Sequence, residues 1–196
     1  YENFIIRLLR GSGLKGLVSF KQTIINYNEK LKIIRPLIGY KKIDLDSINK
    51  EVFKFKFEDP SNKNINFKRI RIRNLINNLK TEGLNLEKLL LTINNLSNSN
   101  FTINHYVNNN IKYNSKYFRQ KKCYILNNHF FYQPQEIIFR SLVILLKKIG
   151  KKYYPPRGKS VIQLLRKFEN GDIEKTNISG CVLEKINNSF IIYKEK

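Results

Sequence analysis

The sequence predicts a chain of mixed class, α/β followed by α+β, with helices dominating its first part and a small α+β unit closing it. Apolar residues recur at helical spacing in several segments, whereas the C-terminal tail alternates around an Asn-Asn pair. At 196 residues the chain can form one large domain or two small ones, each able to bury a core.

The first part favours helices interrupted by one extended segment. Glu2 to Arg10 repeats its apolar residues at helical spacing and ends at Gly11-Ser12-Gly13, as a helix C-terminus does. Lys32 to Ile38 is a short run of branched apolar residues and favours a strand or extended segment. Asp44 or Asp46 is expected to cap the next helix.

The middle of the chain predicts two helices and then a linker. Glu58 to Asn62 should break the preceding helix, and helical spacing resumes from Ile72 to Leu79 and from Leu84 to Leu96. Asn94 to Asn114 is rich in Asn and Ser and has few strong helix formers, so we place a linker or domain boundary there.

The last third predicts two helices and a hairpin. Ile137 to Ile149 has the strongest helical pattern in the chain, and a second helix is expected from a Ser160 cap through Phe168. Ile178 to Leu183 and Ser189 to Tyr193 are expected to form two strands joined by a turn at the Asn-Asn pair.

Charge makes a polyanion the first partner to consider. Lys+Arg exceeds Asp+Glu by 37 − 15 = 22, and small acidic substrates would need far less. The chain has no Ala, Met or Trp and abounds in Ile, Asn and Lys, which is typical of an AT-rich genome. Because such drift adds Lys but not Arg, the positions of the ten Arg residues are the more informative.

The sequence gives little support for a disulfide framework, a zinc site, a Walker-type phosphate loop or a membrane span. Cys123 and Cys181 cannot form a disulfide framework, and with His105 and His129 they lack the close pairs of a zinc site, so no metal is expected. There is no Walker-type phosphate loop. The apolar runs are too short to span a bilayer, so we expect a cytoplasmic or organelle-matrix protein, and a start at Tyr1 predicts a piece of a longer one.

Two motifs are candidates for phosphate chemistry. Arg10 to Leu17 combines an arginine, glycines and Ser12, which suits close backbone approach to a phosphate, although a helix C-cap explains the glycines as well. Arg69 and Arg73 share one helical face while Arg71 points elsewhere. These arginines can hold an RNA backbone, or they can bond the Glu58-Asp59 pair and only fix the turn.

A third concentration of positive charge lies near the C-terminus. It contains Tyr153 and Tyr154 among seven basic residues, namely Arg140, Lys147, Lys148, Lys151, Lys152, Arg157 and Lys159. Basic groups beside aromatic rings suit a phosphate backbone with an occasional stacked base. A solvated charged face is the alternative.

Four motifs occur in the order found in one known family. Residues 2–17, read as ENFIIRLLRGSGLKGL, resemble E-T-x-L-x-R-L-x-R-G-S-G-x-x-G-L, and Arg35 to Gly39 resembles R-P-L-L-G. Residues 58–73 resemble E-D-P-S-N followed by F-x-R-x-R-I-R, and Pro-Pro-Arg and Leu-Gly-Gly-Cys elements find similar residues at 155–157 and 178–181. The family is bacterial tRNA(Ile)-lysidine synthetase, a carbon–nitrogen ligase of the PP-loop superfamily.

The resemblance implies a reaction and its participants. These enzymes use ATP with Mg²⁺ to adenylate C2 of the wobble cytidine in an isoleucine tRNA with a CAU anticodon, and free lysine then displaces AMP to form lysidine. No membrane or DNA partner is implied, and a homodimer is compatible with the family. The family's S-G-G-x-D-S and H-H-x-x-D-D segments do not occur in these 196 residues. We therefore expect the isolated chain to bind no ATP productively and to modify no tRNA.

The resemblance also divides the chain and assigns its residues. Residues 1–80 would be the C-terminal part of a PP-loop (adenine nucleotide alpha hydrolase-like) domain, 81–134 a helical segment with an Asn-rich linker, and 135–196 an α+β tRNA-binding domain. Glu2 and Arg10 would be catalytic, and residues 10–13 would hold ATP. The expected tRNA contacts are Arg35, Asn62, Arg69, Arg71, Arg73, Arg140, Arg157 and Lys159.

Two other functions fit parts of the sequence. A non-catalytic basic RNA-binding module would explain the net charge by itself, with little preference among tRNAs. A related PP-loop enzyme that thiolates tRNA would need reactive cysteines, and Cys123 and Cys181 do not form a convincing set.

Overall fold

The computed structural model describes residues 1–18, 25–27, 31–54, 60–170 and 174–195. The chain forms two compact units, Tyr1–Asn100 and Phe101–Lys196, and the division between them falls within a long helix. The predicted boundaries near residues 81 and 135 therefore do not coincide with the division of the structure. Among the described residues, no helix is both long and apolar enough to cross a membrane.

The first unit is mainly helical. Its elements are α1 (Glu2–Leu8), α2 (Leu14–Leu17), β1 (Ile25–Tyr27), β2 (Leu31–Ile33), α3 (Lys42–Phe53), α4 (Lys68–Thr81) and the first part of α5 (Leu86–Asn114). Two 3₁₀ turns, Pro36–Gly39 and Pro60–Lys63, lie between them. β1 and β2 form an antiparallel pair.

A small apolar cluster joins α1 to α4. Ile5 and Ile6 of α1 pack with Ile72 and Ile76 of α4, and all four are at most 9% exposed. The spacing of the last two, i and i+4, places them on the same side of α4. The amphipathic patterns that predict these two helices are thus explained by one shared core, which fixes the first residues of the chain against α4.

Two local features differ from the sequence prediction. The extended segment ends at Ile33, and residues 36–39 form a 3₁₀ turn because Pro36 sets the backbone angle of its first position. Helix α3 begins after Lys41 without a side-chain cap, so neither Asp44 nor Asp46 is its N-cap. Asp44 instead occupies the first helical turn, where a negative charge is favourable. Residues 55–59 lie outside the described residues.

The predicted Asn-rich linker is a helix. α5 runs unbroken through Asn114, and Asn85 caps its start by accepting hydrogen bonds from the N–H groups of Glu87 (2.8 Å) and Lys88 (3.2 Å). Weak helix formers remain helical here because packing holds them: Val107 is 1% exposed and Asn110 is buried. Tertiary contacts therefore override the low propensity of asparagine.

The second unit is a five-stranded antiparallel sheet covered on one face by two helices. Its elements after α5 are β3 (Ser115–Phe118), β4 (Cys123–Asn127), a 3₁₀ turn (Asn128–Phe130), α6 (Gln135–Gly150), α7 (Gly158–Glu169), β5 (Lys175–Ile178), β6 (Cys181–Ile186) and β7 (Ser189–Lys194). The strand order is β3-β4-β7-β6-β5. All neighbouring pairs are antiparallel.

The core of this unit lies between the sheet and the two helices. Leu142 and Leu145 of α6, Val161 of α7, and Leu183 and Ile192 of the sheet are all fully buried. Phe131, Phe168 and Phe190 form an aromatic cluster at its edge, with ring centroids 3.9 to 4.9 Å apart. Both helices follow the predicted patterns, although α7 begins after Arg157, so Ser160 is inside the helix.

The strands at the C-terminus differ from the prediction at one point. Ile178 to Leu183 is not one strand, because Ser179 and Gly180 both have positive φ (55° and 74°) and join β5 to β6 as a two-residue turn. The hairpin at Asn187-Asn188 is confirmed. The β3–β4 hairpin was not predicted, since its connection, Arg119 to Lys122, contains no Gly, Pro or Asn.

Candidate functional site

A cleft in the first unit brings together two of the predicted site residues. The Oε1 atom of Glu2 accepts a hydrogen bond from Nε of Arg73 over 2.6 Å, and the two side chains form an ion pair. α1 and α4 position this pair through their shared apolar cluster. The cleft beside it measures about 420 Å³ and is lined by Tyr1, Glu2, Asn3, Arg73, Ile76, Asn77, Lys80 and Leu86.

The charges of this cleft suit a ligand that carries both signs. Glu2 and Arg73 keep 32% and 42% of their side-chain surface exposed, so the pair is open to solvent and other partners can reach it. Lys80 contributes a second cation to the cleft. One carboxylate beside two cations can receive an ammonium group and a carboxylate of the same small molecule. Arg73 thus has a carboxylate partner within the protein, which its predicted tRNA role did not include.

The glycine turn after α1 is a helix C-cap. Gly11 has φ +65°, and the N–H groups of Gly11 and Ser12 donate to the carbonyls of Leu8 and Arg7, which is the Schellman arrangement. Those two backbone donors are therefore not free to hold a phosphate. The turn offers an anion the exposed side chain of Arg10 and the hydroxyl of Ser12 instead. Among the residues that the structure describes, none lies within 4 Å of a Cβ built at Gly11 or Gly13.

Arg7 has a role that the sequence did not reveal. Its guanidinium donates to the carbonyl oxygen of Gly16 over 2.5 Å, which ties the segment 10–17 back to α1. A partly buried arginine that bonds a backbone carbonyl nine residues away is a positioning group for the turn. Arg7 belongs to the motif of residues 2–17, so the sequence did mark it as a candidate. The spacing of residues does not show, however, which backbone atom an arginine bonds.

The arginines of α4 have different environments. Arg71 donates to the carbonyls of Ile65 (3.0 Å) and Asn66 (2.8 Å), so it fixes the turn that leads into α4. Arg71 is exposed and bonds the turn through one guanidinium nitrogen, so its predicted contact with tRNA stays a prediction beside this structural role. The Glu58-Asp59 pair lies outside the described residues. Arg69 is exposed on the same helix. Arg71 bonds this turn whereas Arg73 bonds Glu2, which agrees with the prediction that Arg71 points away from Arg73.

The two remaining candidates of the first unit lie in its 3₁₀ turns. Arg35 is half-buried just before the turn Pro36–Gly39. Asn62 is exposed in the turn Pro60–Lys63, ahead of α4. An exposed amide can bond an RNA base or backbone, so Asn62 keeps its predicted role as an expectation.

Arg140 is buried, which contradicts its predicted contact with tRNA phosphates. Its side chain is 7% exposed and donates to Oε1 of Glu136 over 2.6 Å and to Oδ1 of Asn104 over 3.2 Å. It lies on the inner side of α6, among residues that face the core. A guanidinium held in this way stabilises the second unit and cannot reach a phosphate outside it without breaking those bonds.

Arg157 and Lys159 are exposed at the start of α7, as their predicted role requires. Arg157 is the N-cap residue, Lys159 follows within the first turn, and that turn contains no acidic residue. Helix N-termini normally attract negative side chains, because the backbone N–H groups there carry partial positive charge. Two cations at this end therefore combine with the helix to favour an anion.

Both cysteines are buried structural residues. Cys181 has no exposed surface, and its thiol donates to the carbonyl of Leu146 over 3.4 Å. Burial raises the pKa of Cys181 above its usual value, and Cys123 is 3% exposed. Since a reactive cysteine needs an accessible thiolate, these two lack the setting that tRNA thiolation requires. The described part of the chain holds no cluster of three or more His, Cys, Asp or Glu residues arranged for a metal ion.

Comparison with known proteins gives matches over both units. Residues 1–80 match the model of the PP-loop domain. Over 204 residues the chain is 28% identical to the tRNA(Ile)-lysidine synthase of Wolbachia sp. subsp. Brugia malayi, covering 99% of this chain and 45% of that protein. The enzyme of the same name from Orientia tsutsugamushi is 29% identical over the same coverage, and that of Zymomonas mobilis is 37% identical over 78 residues, or 38% of this chain.

The chain spans less than half the length of the curated relatives that match it most fully. Those relatives nevertheless align with nearly every residue of it, from the α1 motif through the C-terminal strands. The resemblance to the tRNA(Ile)-lysidine synthases is therefore confirmed over almost the whole chain, and its first 80 residues contain the match to the PP-loop domain.

Proposed function

We propose that this chain is part of a PP-loop ligase that uses ATP to join lysine to C2 of the wobble cytidine of an isoleucine tRNA, forming lysidine. The observation that carries the proposal is the similarity to enzymes of that name along 99% of the chain. The PP-loop match supports ATP as the energy source. The +22 charge supports a nucleic acid as the other substrate.

The cleft beside the Glu2–Arg73 pair is the proposed site for free lysine. Glu2 would receive one ammonium group of the amino acid, and Arg73 and Lys80 would receive its carboxylate. Because Arg73 donates a hydrogen bond to Glu2, the arginine also holds the carboxylate of Glu2 in a fixed position. In this proposal Glu2 orients the attacking amine, and Arg73 acts within the lysine site rather than on tRNA.

ATP, when bound, supplies the activation that turns the C2 oxygen into a leaving group. Arg10 and Ser12 would fit the phosphates of such a nucleotide, because Arg10 is exposed and the hydroxyl of half-buried Ser12 lies on the same turn. The backbone of Gly11 does not, since its N–H group closes the helix. The S-G-G-x-D-S loop is absent from these 196 residues, so we expect the nucleotide to need protein groups besides those of this chain.

A competition between tRNAs tests the proposal. At physiological salt the chain should prefer isoleucine tRNA with a CAU anticodon over bulk tRNA by about tenfold, the worth of one well-placed hydrogen bond. The measurement is fluorescence anisotropy of labelled isoleucine tRNA displaced by either competitor. Equal displacement by both would favour the non-catalytic RNA-binding module, which relies on charge and has little preference among tRNAs.

A further inference from the structure

A groove of the second unit is lined by five cations. It measures about 590 Å³, and its lining residues are Tyr117, Arg119, Lys122, Tyr124, Lys148, Ile149, Lys151 and Lys194. Among these described residues there is no Asp or Glu. Five exposed positive side chains around one concave surface give the groove a positive potential, which attracts a polyanion.

Three separate segments of the chain build this groove. Arg119 and Lys122 come from the β3–β4 hairpin, Lys148 and Lys151 from the end of α6, and Lys194 from the end of β7. Lysines at the end of α6 have a structural reason to be there, because a helix C-terminus favours cations. The hairpin and strand residues have no such reason, and an AT-rich genome does not favour the arginine at 119. The position of Arg119, Lys122 and Lys194 around the same groove is therefore the feature that indicates a binding surface.

Two tyrosines give the groove an aromatic wall. Tyr117 and Tyr124 face each other across β3 and β4, with ring centroids 5.0 Å apart. Tyr117 is 45% exposed, so one ring remains accessible to a ligand. Burial and the neighbouring Tyr117 raise the pKa of Tyr124, so its hydroxyl stays protonated near neutral pH and can donate to a phosphate oxygen.

We propose that this groove binds the phosphodiester backbone of RNA, with Tyr117 packing against a ribose or a base. The proposal rests on the proposed function in so far as the RNA is a tRNA. It joins Lys148 and Lys151, which the sequence places in a basic concentration, to Arg119, Lys122 and Lys194, which no sequence motif assigned. A phosphate chain is favoured over a single small anion because the cations are spread along a groove several times larger than one phosphate. Such contacts position an RNA without reading its sequence.

The test compares two triple variants of the complete chain with equal changes in charge. The groove variant carries Arg119→Gln, Lys122→Asn and Lys151→Asn. Lys122 and Lys151 have positive φ (49° and 48°), and asparagine is the side chain that tolerates this conformation best. The control variant carries Arg166→Gln, Lys167→Gln and Lys185→Gln, three exposed cations of the same unit outside the groove.

The measurement is the dissociation constant for bulk tRNA and for isoleucine tRNA between 50 and 300 mM salt. We expect the groove variant to bind both tRNAs about 30-fold more weakly, with a salt slope lower by about 2 to 3, because each lost phosphate contact removes about one unit. The affinity of the control variant for tRNA should fall by no more than about threefold. A double variant, Arg119→Gln with Lys148→Gln, leaves the left-handed residues Lys122 and Lys151 unchanged, and its affinity for tRNA should fall by about tenfold.

Equal losses in the two triple variants, or an unchanged salt slope in the groove variant, would overturn the proposal. The proposal would also be overturned if millimolar inorganic phosphate or ATP bound the chain more weakly in the groove variant than in the control variant while tRNA bound both variants equally. The groove would then hold a small anion and not RNA. The preference between the two tRNAs is a separate readout. It tests the proposed function, whereas the difference between the variants tests the groove.

Discussion

Replacing Phe130 by alanine should lower the free energy of unfolding of the second unit by about 3 to 5 kcal/mol, because the ring is fully buried and its loss leaves a cavity. Phe130 packs within the main core, and its ring contacts that of Phe131 at a centroid distance of 5.1 Å. The backbone of Phe130 is also held in place, since its carbonyl oxygen accepts a hydrogen bond from the side chain of Asn110. The surroundings therefore have little freedom to close the cavity.

Thermal denaturation followed by circular dichroism measures this effect. For a unit of this size the expected fall in melting temperature is about 15 °C or more. Tyr132→Ala is the matched control, because this aromatic residue lies two positions away but is 75% exposed and should change the stability by less than about 0.5 kcal/mol. If the two variants melted together, the core as described would be wrong.

Replacing Arg140 by alanine should destabilise the second unit by about 2 kcal/mol and leave the salt dependence of RNA binding unchanged. The variant loses hydrogen bonds to Glu136 and Asn104 that a charged donor makes from a buried position. The cost is smaller than for a fully buried pair because Glu136 is 53% exposed and water can solvate it again.

Two readouts separate this structural role from a phosphate contact. Lys147→Ala removes the same charge from an exposed position of α6 and should leave the melting temperature almost unchanged. If Arg140→Ala lowered the salt slope of RNA binding by about one unit while the melting temperature stayed constant, Arg140 would contact RNA after all. The ion pair with Glu136 would then not describe its working state.

The spacing of apolar residues in the sequence is sufficient to predict a helix that has one apolar face. The helices at the start of the chain, at α4, α6 and α7 follow from it, because each places its branched and leucine residues against a core. It failed for the C-terminal part of α5, where asparagines occupy a helix that is held by the burial of Val107 and by hydrogen bonds from Asn110 to Phe130 and Ser141. No local pattern carries that information.

Turn chemistry explains the errors among the strands. Ser179-Gly180 is a strong turn signal in retrospect, but its branched apolar flanks also resemble one continuous strand. The β3–β4 connection has four polar residues without a turn former, so nothing in its composition indicated a hairpin. Missing that hairpin also hid the groove, since two of its cations lie there.

The sequence named candidate site residues but not their partners. Glu2 and Arg73 are 71 positions apart and meet only because α1 packs on α4. Arg71 and Arg140 are both predicted tRNA contacts, yet Arg71 is exposed and bonds carbonyls of a turn, whereas Arg140 is 7% exposed. Because burial depends on how helices pack, the spacing of arginines along the chain does not show which of them is accessible to RNA.

The most direct test of the account is to ask whether this chain completes a lysidine-forming enzyme. The chain is joined in frame to the upstream segment of a curated relative that carries the S-G-G-x-D-S loop, and isoleucine tRNA, ATP, Mg²⁺ and lysine are supplied. Mass spectrometry of the wobble nucleoside should then detect lysidine, and Arg10→Ala in the same hybrid should abolish it while tRNA binding stays nearly intact. A hybrid that binds ATP and tRNA yet leaves the cytidine unmodified would contradict the account.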